Sequence, residues 1–257
     1  MIHISPDGLR YLQMAARRAA PQPFHLRWFV PALCGDSIRR WQIATYVGYA
    51  VFVICVGLMG GWTAALLVAT LSGPALGFRL PVLIDAPALG MAALAAATVD
   101  IPILSVMLAL IAGMTSERAP LFAALWAWSP IPLVGLIAPA VRALLFRPGP
   151  DVDVLIGTDA GNALIAPWRI GLRRNWHDIN LIAPWGGLLA AFLWMDMRMA
   201  ITMIVAYGQL AVATDTIRLY QWSAPVLAIA LSNHLDWHIC IILALITWFN
   251  PLRGDGI

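Results

Sequence analysis

IATYVGYAVFVICVGLMGGWTAALLVATL, residues 43–71, decides the fold. The stretch holds no Asp, Glu, Lys or Arg. It has no alternation of polar and apolar residues, and it far exceeds the length of a strand. At ~1.5 Å per residue it would run roughly 44 Å as one helix, against a hydrocarbon layer of about 30 Å. That is too long for an untilted membrane span and too short for two. Gly57, Gly60 and Gly61 are the positions where it can break.

The rest of the chain has the same character. Of 257 residues, 61% are apolar and only 11% charged, with a mean hydropathy of +0.81. A soluble domain runs at about 45–50% apolar and ~25% charged. The composition excludes a disordered chain and a coiled coil, and argues strongly against a soluble enzyme of this size. The net charge of +3 is too small for a nucleic-acid partner. The expected class is all-α: a polytopic transmembrane helix bundle of six to eight spans, multi-pass in the cell membrane, with the lipid bilayer as its partner. Oligomeric state is not legible.

Further apolar runs follow. Residues 81–114 contain Asp85, Pro87, Asp100 and Pro102, which predicts two helices meeting near Asp100, or one helix with a re-entrant segment. Residues 119–146 predict a span bent by Pro130 and Pro132. Two short spans are expected at about 179–194 and 199–214, with a tight turn at Met195-Asp196-Met197-Arg198. Residues 223–249 form the last run, interrupted by Asn233, His234, Asp236 and His238. Two domains result: an N-terminal interfacial segment at 1–42 and a transmembrane domain at 43–257, with a polar loop at about 147–178.

The N-terminal segment carries Arg10, Arg17, Arg18, Arg27, Arg39 and Arg40 and lacks a long apolar core, so it does not read as a signal peptide. Ser5-Pro6-Asp7 is a helix start: Ser as cap, Pro at the first position, an acid in the first turn. Leu9, Leu12, Ala16 and Ala19 then share one face. This predicts an amphipathic helix over about 6–19 that lies on the membrane surface rather than crossing it.

All sixteen basic residues are Arg, and Glu117 is the only Glu. Codon bias in a GC-rich genome is the plainer explanation. Arg forks suit phosphate groups, and Arg27, Arg218 and the Arg169/Arg173/Arg174 cluster are candidates to hold one. Asp215 and Arg218 are placed to pair locally on a helix. Asp85 and Asp100 each need a partner if they sit at membrane depth.

No cofactor or metal is expected. Cys34, Cys55 and Cys240 form no CxxC pair. His234 and His238 are four apart on one helical face, yet Asp236 points away and no third ligand is adjacent. Asp151-Val152-Asp153 is a DxD in a Gly/Pro loop, and Asn175-Trp176-His177-Asp178 has no nucleophile motif beside it.

Three segments resemble landmarks of bacterial GT-C-type membrane glycosyltransferases. They are Ser5-Pro6-Asp7-Gly8-Leu9-Arg10-Tyr11 with Pro23-Phe24-His25-Leu26-Arg27; Thr115-Ser116-Glu117-Arg118-Ala119-Pro120; and Thr214-Asp215-Thr216-Ile217-Arg218-Leu219-Tyr220. The first is similar to the first extracytoplasmic loop of those enzymes. The resemblance implies transfer of a sugar from a polyprenyl-phosphate donor. It implies that Asp7 is the general base, with Arg27, Arg218, Asp215, Tyr11 and His25 on the substrate side. Two other classes compete with it. One is a non-catalytic membrane scaffold or assembly partner. The other is a small transporter with a path lined by Asp85, Asp100, His234 and Asp236. Convergence of Asp7, Arg27 and Arg218 on one site discriminates among the three.

Overall fold

The computed structural model describes residues 4–17, 24–71, 78–80, 82–147, 181–209 and 221–250. Among the described residues there is helix and no strand, as the apolar runs required. One helix is long and apolar enough to cross a membrane, and six further apolar helices have 10–17 residues.

The chain divides into two compact units: residues 1–52 with 76–158, and residues 53–75 with 159–257. In the first unit, α1 (Pro6–Arg17) is followed by a 3-10 turn (Phe24–Leu26) and α2 (Phe29–Cys34). The cap works as expected: Gly8 N–H donates to Ser5 Oγ at 3.1 Å. Tyr11 and Met14 are buried, Leu12 packs partly buried against the same core, and Leu9 stays 40% exposed. The 3-10 turn and the apolar 82–84 segment supply the inner partners, and they meet the Tyr11 side of the helix.

Helix α3 (Ile38–Ala69) covers the deciding stretch and passes from one unit into the other. It breaks at Gly61, where φ is 84° and ψ 169°, a conformation open essentially to glycine alone. Of the three candidate glycines, the last is the one used.

Helices α4 (Asp85–Ala97) and α5 (Pro102–Thr115) flank the turn at Asp100, as the two-helix alternative required. The next run is broken rather than bent. Helix α6 (Ala119–Ala127) ends at Trp128 in a left-handed conformation, and a 3-10 segment (Ile131–Leu136) leads into α7 (Ile137–Leu145). The 3-10 segment folds back onto α5 so closely that a Cβ at Gly113 would collide with the Gly135 carbonyl oxygen. Pro130 and Pro132 remove two amide donors in succession, so the helix cannot carry through. Gly90 of α4 likewise lies against Gly48 of α3, where a Cβ would run into the Gly48 carbonyl oxygen. Small residues at such crossings let backbones approach closely, and packing of this kind is common between helices in lipid.

The second unit holds a 3-10 helix (Ala183–Trp194), α8 (Met197–Gly208), a 3-10 turn (Gln221–Ser223), α9 (Ala224–His234) and α10 (Trp237–Trp248), beside the end of α3. Asp196 caps α8, accepting from Met199 N–H at 2.7 Å. The helix break at 235–236 separates His234 from His238, so the pair does not share one helical face. Trp185 Nε1 donates to Tyr207 Oη at 2.8 Å, and that hydroxyl donates to the Leu181 carbonyl at 2.5 Å. Ser232 Oγ donates to the Gly60 carbonyl at 2.6 Å and pairs with the Thr63 hydroxyl, which ties α9 to α3 beside the break at Gly61. Cys34, Cys55 and Cys240 are all buried free thiols.

Candidate functional site

The N-terminal motif folds into a knot of polar groups within the first unit. Arg27 follows the 3-10 turn that Phe24 and His25 begin, and it is only 8% exposed. An Arg buried this far requires an acid partner. Glu117, in the turn between α5 and α6, supplies it. Arg27 Nε donates to Glu117 Oε2 at 2.7 Å, and Nη2 donates to Oε1 at 2.5 Å, a two-pronged pair between residues ninety apart in sequence. The third nitrogen, Nη1, donates to Tyr11 Oη at 3.1 Å. Three of the five guanidinium N–H groups are thus taken by oxygens of two residues.

The electrostatics follow from that geometry. Burial pushes the Glu117 carboxyl up, but the Arg27 charge and its hydrogen bonds outweigh this and hold it at about 2. Burial lowers the affinity of Arg27 for its proton, and the Glu117 charge reverses this, leaving its pKa well above the ordinary value. Burial raises the Tyr11 hydroxyl to about 12; Arg27 opposes that, and the charges of Asp7 and Asp85 add to it. Tyr11 is therefore a neutral donor and acceptor, not a phenolate.

Asp7 and Arg10 sit one helical turn apart on α1. Arg10 Nη1 donates to Asp7 Oδ1 at 3.0 Å. The Asp7 side chain keeps 24% of its exposure, whereas Arg10 and Arg27 keep 10% each. Both guanidinium groups lie over the Phe24 ring, at 4.8 Å for Arg10 and 5.4 Å for Arg27. Tyr11 meets that ring edge-on at 5.3 Å and lies 6.0 Å from Trp41. His25 is buried, and its carbonyl accepts from Arg142 Nε at 2.6 Å, which anchors the turn to α7. Aromatic faces beneath two cations shield the cluster from solvent.

Four sequence candidates therefore come together: Asp7, Tyr11, His25 and Arg27. Asp215 and Arg218 lie outside the described residues, as do Asp151, Asp153, the Arg169/Arg173/Arg174 cluster and Asn175–Asp178. Asp85, flagged as an acid in need of a partner, stands at the start of α4, 8% exposed and close enough to act on Tyr11. Asp100 is exposed in its turn. No group of three or more His, Cys, Asp or Glu able to hold a metal occurs among the described residues. The residue that sequence reasoning left out of the site was Glu117. Its signal was present: it is the single Glu of the chain, inside a segment already singled out. No protein-family model, curated protein or solved structure matches the chain.

Proposed function

We propose that the chain is an integral membrane protein whose first unit carries a sugar-transferase-like site of the GT-C type, with Asp7 as the base. Membrane residence is supported by what the helices expose. Leu58, Ile103, Leu144 and Leu193 are 76%, 78%, 86% and 78% exposed, on helices that carry almost no charge. Aliphatic surface of that extent costs about 25 cal/mol per Å² in water and nothing against lipid tails. The six to eight spans of a polytopic bundle would then have to count helices of 10–17 residues among them.

One observation carries the transferase reading. Two segments that resemble GT-C landmarks, 5–27 and 115–120, meet through the Arg27–Glu117 pair. In this reading Asp7, whose side chain keeps 24% of its exposure, accepts the proton of an acceptor hydroxyl. Arg27, Glu117 and Tyr11 hold its helix in place from behind. A polyprenyl-phosphate sugar is the donor in this reading.

The same closure of charges favours a second reading, a non-catalytic scaffold. A knot that satisfies Arg27 internally is also what a purely structural fastener requires. Purified protein in liposomes, given radiolabelled hexose on polyprenyl phosphate and a hydroxyl acceptor, separates the two. Transfer by the wild type that Asp7→Asn abolishes, with helix content unchanged, supports the enzyme. Transfer retained in Asp7→Asn removes Asp7 as the base, and no transfer by the wild type from any hexose donor leaves the scaffold.

A further inference from the structure

A third guanidinium stands beside the 3-10 turn of the first unit. Arg142 is the only charged residue between Ala119 and Phe146, and it lies half-buried in the last turn of α7. Its Nε donates to the His25 carbonyl at 2.6 Å. The group also lies over two rings, 4.5 Å from the Phe146 centroid and 5.4 Å from that of Trp28. These contacts hold the guanidinium in place without neutralising it. Among the described residues no acid pairs with it: Asp7 goes to Arg10 and Glu117 to Arg27.

The hydrogen-bond count defines what Arg142 still offers. A guanidinium has five N–H donors, and the bond to His25 takes the one on Nε. The Nη1/Nη2 edge remains, a rigid fork spaced for two oxygens of one anion. The surroundings define what else the anion carries. Val141, Leu144, Leu145 and Phe146 are all exposed beside it. A small soluble anion would satisfy the fork and leave those side chains bare. A lipid with a phosphate headgroup does both, the phosphate on the fork and the chains along the leucines. Phosphates are also the anions that line a bilayer surface, where an Arg on an apolar helix comes to rest. Arg147, exposed five residues on, puts a second positive charge at the same end of the helix.

We infer that the Nη1/Nη2 edge of Arg142 is a binding site for the phosphate of a membrane lipid, with Arg147 as an auxiliary cation. The inference rests on the membrane residence proposed above and not on the transferase reading. The bond to His25 ties the bound headgroup to the turn whose Phe24 ring lies under Arg10 and Arg27. The site therefore fixes the depth of α7 and of the N-terminal knot at one lipid surface.

The test is native mass spectrometry of the full chain in non-ionic detergent, with phosphatidylglycerol, a polyprenyl phosphate or diacylglycerol added in turn. The wild type should retain one phosphatidylglycerol at least about tenfold more than diacylglycerol, which has the same chains and no phosphate. Arg142→Met should cut that retention about tenfold, and Arg142→Lys, which keeps the charge without the fork, about threefold. Arg147→Gln alters an exposed side chain that folding does not need, and it should weaken retention roughly twofold, so the result does not hang on tolerance of Met at 142. Polyprenyl phosphate retained at least about tenfold more than phosphatidylglycerol assigns the phosphate to the isoprenoid lipid, and equal retention assigns it to bulk phospholipid; both support the site. Diacylglycerol held as well as phosphatidylglycerol, or retention unchanged in the Arg142 and Arg147 variants, overturns the inference while leaving membrane residence intact. Displacement of both lipids by millimolar inorganic phosphate assigns the fork to a soluble anion and overturns it too. So does retention that appears only when Asp151 and Asp153 are both changed to Asn, because an acid of this chain then owns the fork. A protein that stays dispersed without detergent and retains no lipid overturns both the inference and the residence on which it rests.

Discussion

Replacing Glu117 by Gln removes one negative charge from beside a buried Arg and leaves the shape of the pair intact. The energy at stake follows from the site. Holding the carboxyl at about 2 instead of 4.5 corresponds to about 3 kcal/mol at ~1.4 kcal/mol per pH unit. The Glu117 side chain is 31% exposed, so water screens part of this and on the order of 2 kcal/mol remains. Losing one partner of a fully buried pair costs about 3–5 kcal/mol, which sets the upper limit. Glu117→Gln should therefore destabilise the protein by roughly 2–3 kcal/mol at pH 7, or lower its Tm in detergent by about 4–8 °C. The pH dependence has a definite sign. The carboxyl titrates lower in the folded state than in the unfolded one, so its contribution is complete above pH 4.5 and is lost as pH falls toward about 2. Circular dichroism followed against temperature at pH 7, 4 and 3 measures both effects. The wild type should lose stability across that window, and the gap between it and Glu117→Gln should narrow with it. The double variant Arg27→Met with Glu117→Leu should recover most of the loss, because no unpaired charge remains inside. A Glu117→Gln protein within about 0.5 kcal/mol of wild type, or a gap that stays constant down to pH 3, would refute the pair as the fastener of the N-terminal segment.

Three other outcomes follow from named contacts. Gly61→Ala places a Cβ at φ 84°, where only the Ser232 hydroxyl lies within reach, so the strain is in the backbone and not in crowding; a loss of about 1–3 kcal/mol in apparent stability is expected, and an unchanged melting curve would mean that the helix straightens without penalty. Gly113→Ala meets the backbone oxygen of Gly135 rather than a movable side chain, so α5 and the 131–136 segment must separate; roughly 2–3 kcal/mol or more should be lost in the same assay, and a well-folded variant of wild-type stability would contradict the close crossing. Asp7→Asn leaves an uncharged acceptor for Arg10, and it should abolish sugar transfer while lowering stability by no more than about 1 kcal/mol, since the Asp7 pair is partly exposed.

Hydropathy and punctuation in the chain already contained most of the local architecture. Apolar runs that exceed strand length and lack alternation read as helix, so the all-α class followed from the pattern. The break at Asp100, the start at Ser5 and the turn at Met195–Arg198 depend on residues within one or two helical turns, which is the reach of caps, prolines and acids. Such signals identified Gly57, Gly60 and Gly61 as candidates for the α3 break without choosing among them. The choice of Gly61 depends on α9, whose Ser232 takes the Gly60 carbonyl. The break between His234 and His238 was legible in the polar residues 233–238 that interrupt the last apolar run, and the structure places it at 235–236. In the candidate site, sequence marked Asp7, Tyr11, His25 and Arg27 as a group, since they lie within one segment. It did not pair Arg27 with Glu117, because the partner of a buried charge is set by the course of the ninety residues between the two, which no local signal in either motif specifies. Sequence marked a leucine-bearing face on α1 without saying what meets it; Leu12 packs on the core, Leu9 stays exposed, and Tyr11 and Met14 are buried. The face a helix hides is decided by what packs against it, and here that is the Phe24 turn and the 82–84 segment, brought there by tertiary structure alone.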